Sequence, residues 1–438
     1  MNPTERGMGL GLKALTRIAG SELLDRVGAR RPFERALYHA TRNGFRSAGA
    51  ASRTFRAATK LARPARQPRV RSTGLFDLTP DEEQQMLQEA VRSFAAERVR
   101  PAAAAADEAC AAPPELLAQA VELGAAVLGV PEELGGVIPE RSAVTAVLVA
   151  EALAHGDMGI AAAALAPGAV ATALGLWGDA DQQSAYLPAF TGDDVPAAAL
   201  ALLEPRALFD PLEPAARAVR EGSDWVLSGV KSLVPRAAEA ELFLVAARAQ
   251  DVGPALFLVE SSTDDLMVEP EPAMGLRAAA TGRLVLDDVR LPSGALLGGG
   301  EPAAFAECVQ RARLAWCALA VGAAQAVLDY AIPYVNDRVA FGEPISHRQA
   351  VAFAVSEIGI ELEGMRLATL RAASRADRGE PFAREVAVAR RLCATHGMRI
   401  GSEGVQLLGG HGYVKEHPVE RWYRDLRAAG VMEGALLV

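Results

Sequence analysis

The sequence is short of cysteine, histidine and aromatic residues. Four cysteines in 438 residues, Cys110, Cys308, Cys317 and Cys393, are widely scattered and none has C-x-x-C spacing. A disulfide framework and a thiolate zinc site are therefore excluded, and free thiols in a reducing cytoplasm are expected. Six histidines form no H-x-x-x-H pair, so no metal is expected. Aromatics make up 5% of the chain, while half its residues are apolar, which suits a helix-rich globular protein of two or three domains. The start of the chain has no apolar core of the kind that marks a signal peptide, so secretion is not expected.

Acidic residues are scarce in the first 72 positions, which hold four Asp/Glu against sixteen Lys/Arg, a balance of +12. The rest of the chain carries 50 acidic and 29 basic residues, a balance of −21. A basic arm thus precedes an acidic body. Arg53, Arg56, Lys60, Arg63, Arg66, Arg69 and Arg71 recur about every third residue, interrupted by Pro64 and Pro68. A solvated, partly disordered extension over 1–74 is the first expectation. A peripheral contact with an anionic membrane, a contact with nucleic acid and an organellar transit peptide share that composition.

Thr79 is placed to cap a helix whose capping-box partner is Glu82. The pattern then stays helical to about Leu200. Residues 158–178 are uncharged and long enough to span a bilayer, but they are mostly Ala and Gly, so a buried helix is expected. Short apolar runs at Trp225–Val230, Leu242–Val245, Ala255–Val259 and Arg283–Leu286 read as strands of a small β domain. Helical periodicity returns over Leu314–Tyr330, Arg348–Ala376 and Pro381–Leu408. The expected domains are 75–199, 200–300 and 301–438, after the extension.

Several short motifs in the last quarter are ordered and spaced. Arg338-Val339-Ala340-Phe341-Gly342 is followed by Gln349, eleven residues after the arginine. Gln406-Leu407-Leu408-Gly409-Gly410-His411-Gly412-Tyr413 comes next, then Tyr423-Arg424-Asp425, then Glu433 eight residues after that aspartate. This series resembles the C-terminal half of the acyl-CoA dehydrogenase family, and the resemblance extends from about residue 75. It implies a mainly α fold with a central β domain: a helical N-terminal domain, a small β-barrel domain and a C-terminal four-helix bundle.

The resemblance also implies a chemistry. Dehydrogenating an acyl thioester needs a base to take the α-proton and an acceptor for the β-hydride, and no side chain accepts a hydride. FAD is the implied acceptor and Glu433 the implied base, strengthened by apolar surroundings. Glu433 and Gly434 would meet the substrate, as would Arg313, which lies twenty-five residues before Arg338. Ala312, at the place where some members carry the base, cannot serve, and Gln310 stands where the family usually has Asp. Arg338, Phe341, Gln349, Gln406, Leu407, Leu408, Gly409 and Gly410 are the implied FAD-binding residues: the first three match those that hold the cofactor's ADP part, usually on a neighbouring subunit, and the paired glycines let the backbone approach the cofactor closely. Arg424 and Asp425 read as a structural ion pair. Acyl-CoA as substrate, an electron-transferring flavoprotein as acceptor and a homo- or hetero-oligomer, dimer or tetramer, follow from the same likeness.

The β domain departs from the family pattern. In place of T-E-P-G-A-G-S-D it has Leu203-Glu204-Pro205-Arg206-Ala207-Leu208-Phe209-Asp210, and in place of K-x-W-I-T it has Lys231-Ser232-Leu233-Val234-Pro235. Three readings follow: an acyl-CoA dehydrogenase with an altered flavin pocket; an inactive subunit completing a flavin site in a mixed oligomer; or a scaffold whose basic arm binds membrane or nucleic acid. A cytoplasmic location, with peripheral membrane contact through residues 1–72, completes the expectations.

Overall fold

A computed structural model of the chain describes residues 78–136, 140–192 and 194–433. The basic arm and Gly434 lie outside the described residues, and so do the readings placed on them.

Helical N- and C-terminal regions flank a curled β-sheet. The first helix among the described residues, α1 (Glu82–Phe94), is capped by Asp81 rather than Thr79. The Asp81 carboxylate accepts from Gln84 N at 2.8 Å, and the Gln84 side chain accepts from Asp81 N at 3.1 Å. The capping box is thus built two residues later than expected, with a charged acceptor beside the helix's positive end. One π-helical turn, Ala95–Val99, joins α1 to α2 (Arg100–Ala109). Then come α3 (Pro114–Glu122), α4 (Ala143–Gly156), α5 (Met158–Trp177) and α6 (Ala180–Phe190).

The helical pattern ends at Phe190, ten residues before the expected limit, and 198–201 is a strand. An Ala-Ala-Leu-Ala run has no period of its own, and pairing decides its state. The sheet comprises β1 (Ala198–Ala201), β2 (Arg217–Glu221), β3 (Asp224–Val234), β4 (Leu242–Ala249), β5 (Gly253–Glu260), β6 (Leu266–Pro270) and β7 (Gly282–Leu291). One edge of β4 carries β1 and β2, both parallel to it, and the other carries β5, antiparallel. From β2 the sheet continues through β3 and β7 to β6. The ladder between β3 and β7 is irregular across Lys231–Val234, where Leu233 adopts φ +51°. That break pushes Leu233 out of the sheet, and its side chain packs against the helical core.

The C-terminal region contains α7 (Pro302–Asp337), which starts twelve residues before and ends seven after the expected span, and α8 (Gln349–Asp377) and α9 (Ala383–Leu408), both close to theirs. Helix α4 lies against α7 and α8, and α7 also packs on α9. Helices α5 and α7 are each long and apolar enough to cross a membrane, and their apolar windows are 83% and 72% buried inside the fold. Burying such side chains contributes ~1.5–3 kcal/mol for each Val or Leu, and that surface is spent on the core. Short helices α10 (Val419–Asp425) and Ala428–Val431 then return the chain to the bundle, which places Glu433 against it.

Candidate active site

Glu433 is 7% exposed and is held by two guanidinium groups. Arg313 Nε, from α7, donates to Oε2 at 2.7 Å. Arg390, from α9, donates from Nη2 to Oε1 and from Nη1 to the Met432 carbonyl at 2.9 Å. Two residues singled out from spacing, 120 positions apart, therefore meet directly. The apolar setting expected for the base is not what surrounds it, because the carboxylate's neighbours are cations. Arg390 was missed from the sequence: a helix arginine followed by Arg391, which is exposed, reads as part of a solvated face. Its position beside the buried stripe Val386, Ala389, Cys393 and Gly397 is the signal that could have found it.

Behind the arginines, Cys317 and Cys393 are fully buried and adjacent. The hydrogen bond to Cys393, together with burial, pushes the Cys317 thiol well up, so it stays neutral. Burial pulls Arg390 below its ordinary range, and the Glu433 charge offsets part of that.

A second cluster lies at the far end of α7. Arg338, Gln406, Leu407, Leu408, Gly409 and Gly410 line a cleft of about 320 Å³ together with Tyr334, Ile345 and His411. Leu407 and Leu408 are buried. The Tyr334 hydroxyl donates to the Leu408 carbonyl at 3.3 Å and lies 2.9 Å from His411 Nδ1, and the His411 ring stacks on His417. Gly409 ends α9 at φ +58°, ψ −129°, a conformation open to glycine and few others. A Cβ at Gly409 or Gly410 would meet nothing within 4 Å, so that backbone is bare toward the cleft. Gly412 is the opposite case: a Cβ there would stand 2.2 Å from the Val405 carbonyl oxygen. Phe341 and Gln349 do not line the cleft. Phe341 is 96% exposed on a two-residue turn at φ +56°, between Val339–Ala340 and Glu343–Pro344, and Gln349 is exposed at the start of α8.

The β-domain motifs divide in two. Glu204 and Lys231 are both buried and pair at 2.8 Å, and the Glu204 carboxylate also accepts from Ala215 N and Ala216 N. Arg206 and Leu208 are exposed, with Leu208 at φ +55°, and Arg206 lies over the half-buried Phe209 ring. The Leu208 side chain thus points outward rather than filling a ligand space.

Arg424 and Asp425 do not pair with each other, which corrects the expected ion pair. Successive helix residues point about 100° apart. Arg424 instead binds both oxygens of Asp107 at 2.9 Å and Glu420 at 2.8 Å, while Asp425 accepts from Leu276 N at 2.7 Å. Both tie α10 to the rest of the fold. Arg421 binds the buried Asp157 at 2.9 Å in the same layer.

Comparison with known proteins agrees with this architecture. Family models described as acyl-CoA dehydrogenase N-terminal, middle and C-terminal domains match residues 81–193, 199–289 and 302–436. The short-chain specific acyl-CoA dehydrogenase of Bos taurus mitochondria is 33% identical over 368 residues, 81% of this chain and 87% of that one. The solved butyryl-CoA dehydrogenase of Megasphaera elsdenii has a TM-score of 0.76 at 26% identity, covering 82% of this chain and 96% of that one. A glutaryl-CoA dehydrogenase of Mycobacterium smegmatis, solved in complex with FADH2, has a TM-score of 0.74 at 26% identity, covering 83% and 93%.

Proposed function

The chain belongs to the acyl-CoA dehydrogenase family, and from that premise we propose that it oxidises an acyl-CoA thioester between Cα and Cβ, with Glu433 as the base. The reaction type, FAD-dependent dehydrogenation, is the family's. The observation that carries the residue assignment is the buried Glu433 carboxylate at 2.7 Å from Arg313 Nε. A carboxylate enclosed in a helical core among cations is not a solvated chain end.

The residues have separable parts in the reaction. The Cα–H bond breaks and its proton passes to a Glu433 oxygen, while the electron pair left on Cα forms the double bond to Cβ. The bound cofactor supplies a hydride acceptor for Cβ. Both Glu433 oxygens carry a guanidinium N–H in the structure, so one must be released before either can take a proton. Arg313 is the group placed to exchange Glu433 for substrate.

The cleft at Arg338 fits the ADP part of FAD. A guanidinium can donate two bonds to a pyrophosphate, and the bare backbone at Gly409 and Gly410 allows close approach. This cleft cannot serve the Glu433 site of its own subunit. Arg313 and Arg338 are twenty-five residues apart on one helix, which at 1.5 Å per residue is ~37 Å, beyond the reach of one extended dinucleotide. Each cleft therefore serves a neighbouring copy, and Phe341, exposed on a strained turn, is read as covered by that neighbour. An electron-transferring flavoprotein is the proposed acceptor. The test is a visible spectrum of the purified chain: a yellow protein that bleaches under anaerobic acyl-CoA supports the reading, and a yellow protein that no acyl-CoA bleaches counts against it.

A second reading is favoured by Arg206, Leu208, Phe209 and Pro235, which replace the small and hydroxylic residues of the family's β-domain loops. In that reading the chain donates its Arg338 cleft to a related subunit and holds no complete flavin site itself. It predicts a colourless protein alone and a yellow one after co-expression with that subunit.

A further inference from the structure

We propose that Arg390 is a positioning residue for Glu433, setting the carboxylate's direction while Arg313 remains free to turn to the substrate. The inference rests on the assignment of Glu433 as base and adds a division of labour between the two arginines. One guanidinium spans two groups of adjacent residues: Arg390 Nη1 binds the Met432 carbonyl at 2.9 Å and Nη2 binds Glu433 Oε1. This closes a ring through the backbone and the side chain, so it fixes the Glu433 rotamer as well as its charge. Arg313 holds Oε2 through Nε and, among the described residues, donates to no backbone carbonyl of that segment. The two differ in their supports too. Arg390 rises from α9, beside the buried Cys317–Cys393 contact, and its side chain is 16% exposed against 23% for Arg313. Oε1 is therefore the anchored oxygen and Oε2 the one that takes the proton once Arg313 moves away.

Nothing in the spacing motifs marks position 390. The residue acts at the end of the chain across 43 positions, through a contact that only the packing of α9 against the returning segment creates. Misplacing a reacting group by about 1 Å costs on the order of 10²-fold in rate. Losing the ring should have that effect, because Glu433 would keep a cation at Oε2 but lose its fixed direction.

The experiment compares Arg390→Gln, Arg390→Lys and Glu433→Gln in the flavin-loaded protein, reading stopped-flow bleaching by butyryl-CoA and butyryl-CoA binding by titration. Expected is a fall of about 10²-fold in bleaching rate for Arg390→Gln, with butyryl-CoA affinity and flavin content within about threefold of wild type. Arg390→Lys should recover about tenfold of that loss, since it restores the charge and one donor but not the ring. Bleaching at the wild-type rate in Arg390→Gln overturns the inference, provided Glu433→Gln abolishes bleaching. If Glu433→Gln itself bleaches normally, the base assignment fails and the inference falls with it.

A flavin-free measurement tests the contact itself. Thermal unfolding of Arg390→Gln, Glu433→Gln and the double variant should give non-additive shifts, with Arg390→Gln costing less when residue 433 is already Gln. Additive shifts overturn the contact. Equal losses of flavin, substrate affinity and stability in both Arg390 variants make the residue structural only, and also overturn the proposal.

Discussion

Raising the pH from 7.5 to 10.5 should stabilise the wild type relative to Lys231→Met by about 3 kcal/mol. Lys231 has no exposed surface, and its Nζ lies 2.8 Å from Glu204 Oε1. Burial outweighs that partner and pulls the ammonium down from 10.5 to about 8. Between those values the unfolded chain holds a proton that the folded chain has released. Stability therefore rises with pH through this window: the gain is complete above 10.5 and is lost as the pH falls through about 8. At ~1.4 kcal/mol per tenfold change in proton affinity, the full interval is about 3 kcal/mol. Glu204 stays ionised throughout the window and keeps its two backbone donors, so it moves the variant's baseline but not its slope. Urea unfolding of both proteins at pH 7.5 and 10.5 isolates the effect. Lys231 is one of only four lysines, and every other residue is common to the two proteins and cancels. Equal changes in the two proteins would refute the reasoning.

Three further outcomes follow from named contacts. Burial and the neighbouring Asp157 raise Asp425 to about 8, so the stability it lends as a neutral group is full below about pH 4 and lost as the pH rises through about 8. Asp425→Asn should thus gain on the wild type between pH 5 and 8.5 in thermal melts, and parallel curves would contradict this. Gly412→Ala forces a Cβ against the Val405 carbonyl and should cost about 2–3 kcal/mol, read by urea unfolding; a loss under 0.5 kcal/mol would show that the turn yields. Arg338 is exposed, so Arg338→Ala should leave the melting temperature unchanged while flavin affinity falls by roughly 10- to 100-fold, from about 1.5–3 kcal/mol of charged hydrogen bonds. Gel filtration with fluorescence of released flavin reads the loss, and full retention would place the cofactor elsewhere.

Long periodic segments were legible from the residues alone. Helices α8 and α9 begin and end within two residues of the spans read from their apolar pattern, because both keep one buried stripe throughout. Strands β3, β4, β5 and β7 declared themselves by apolar runs. Strands β1, β2 and β6 did not: β1 is mostly alanine, while β2 and β6 expose most of their residues and exist through their partners. The β-domain motifs show a subtler limit. Read as strings, they had lost much of their pattern, yet two of the members kept, Glu204 and Lys231, form one interior ion pair. The changed Arg206 and Leu208 are on the surface. One motif thus mixed residues that hold the sheet with residues exposed on the surface, and only the packing separates them. Spacing singled out Glu433 and Arg313, which meet in the fold, because family motifs bracket them. It could not find Arg390, whose partner lies on a segment brought back by α10.

The most direct test of the account is anaerobic reduction of the flavin-loaded Glu433→Gln protein by butyryl-CoA. The account predicts retained flavin, retained butyryl-CoA binding and bleaching slowed by at least about 10²-fold, within the range expected on removing a positioned general base. Bleaching at the wild-type rate would contradict it.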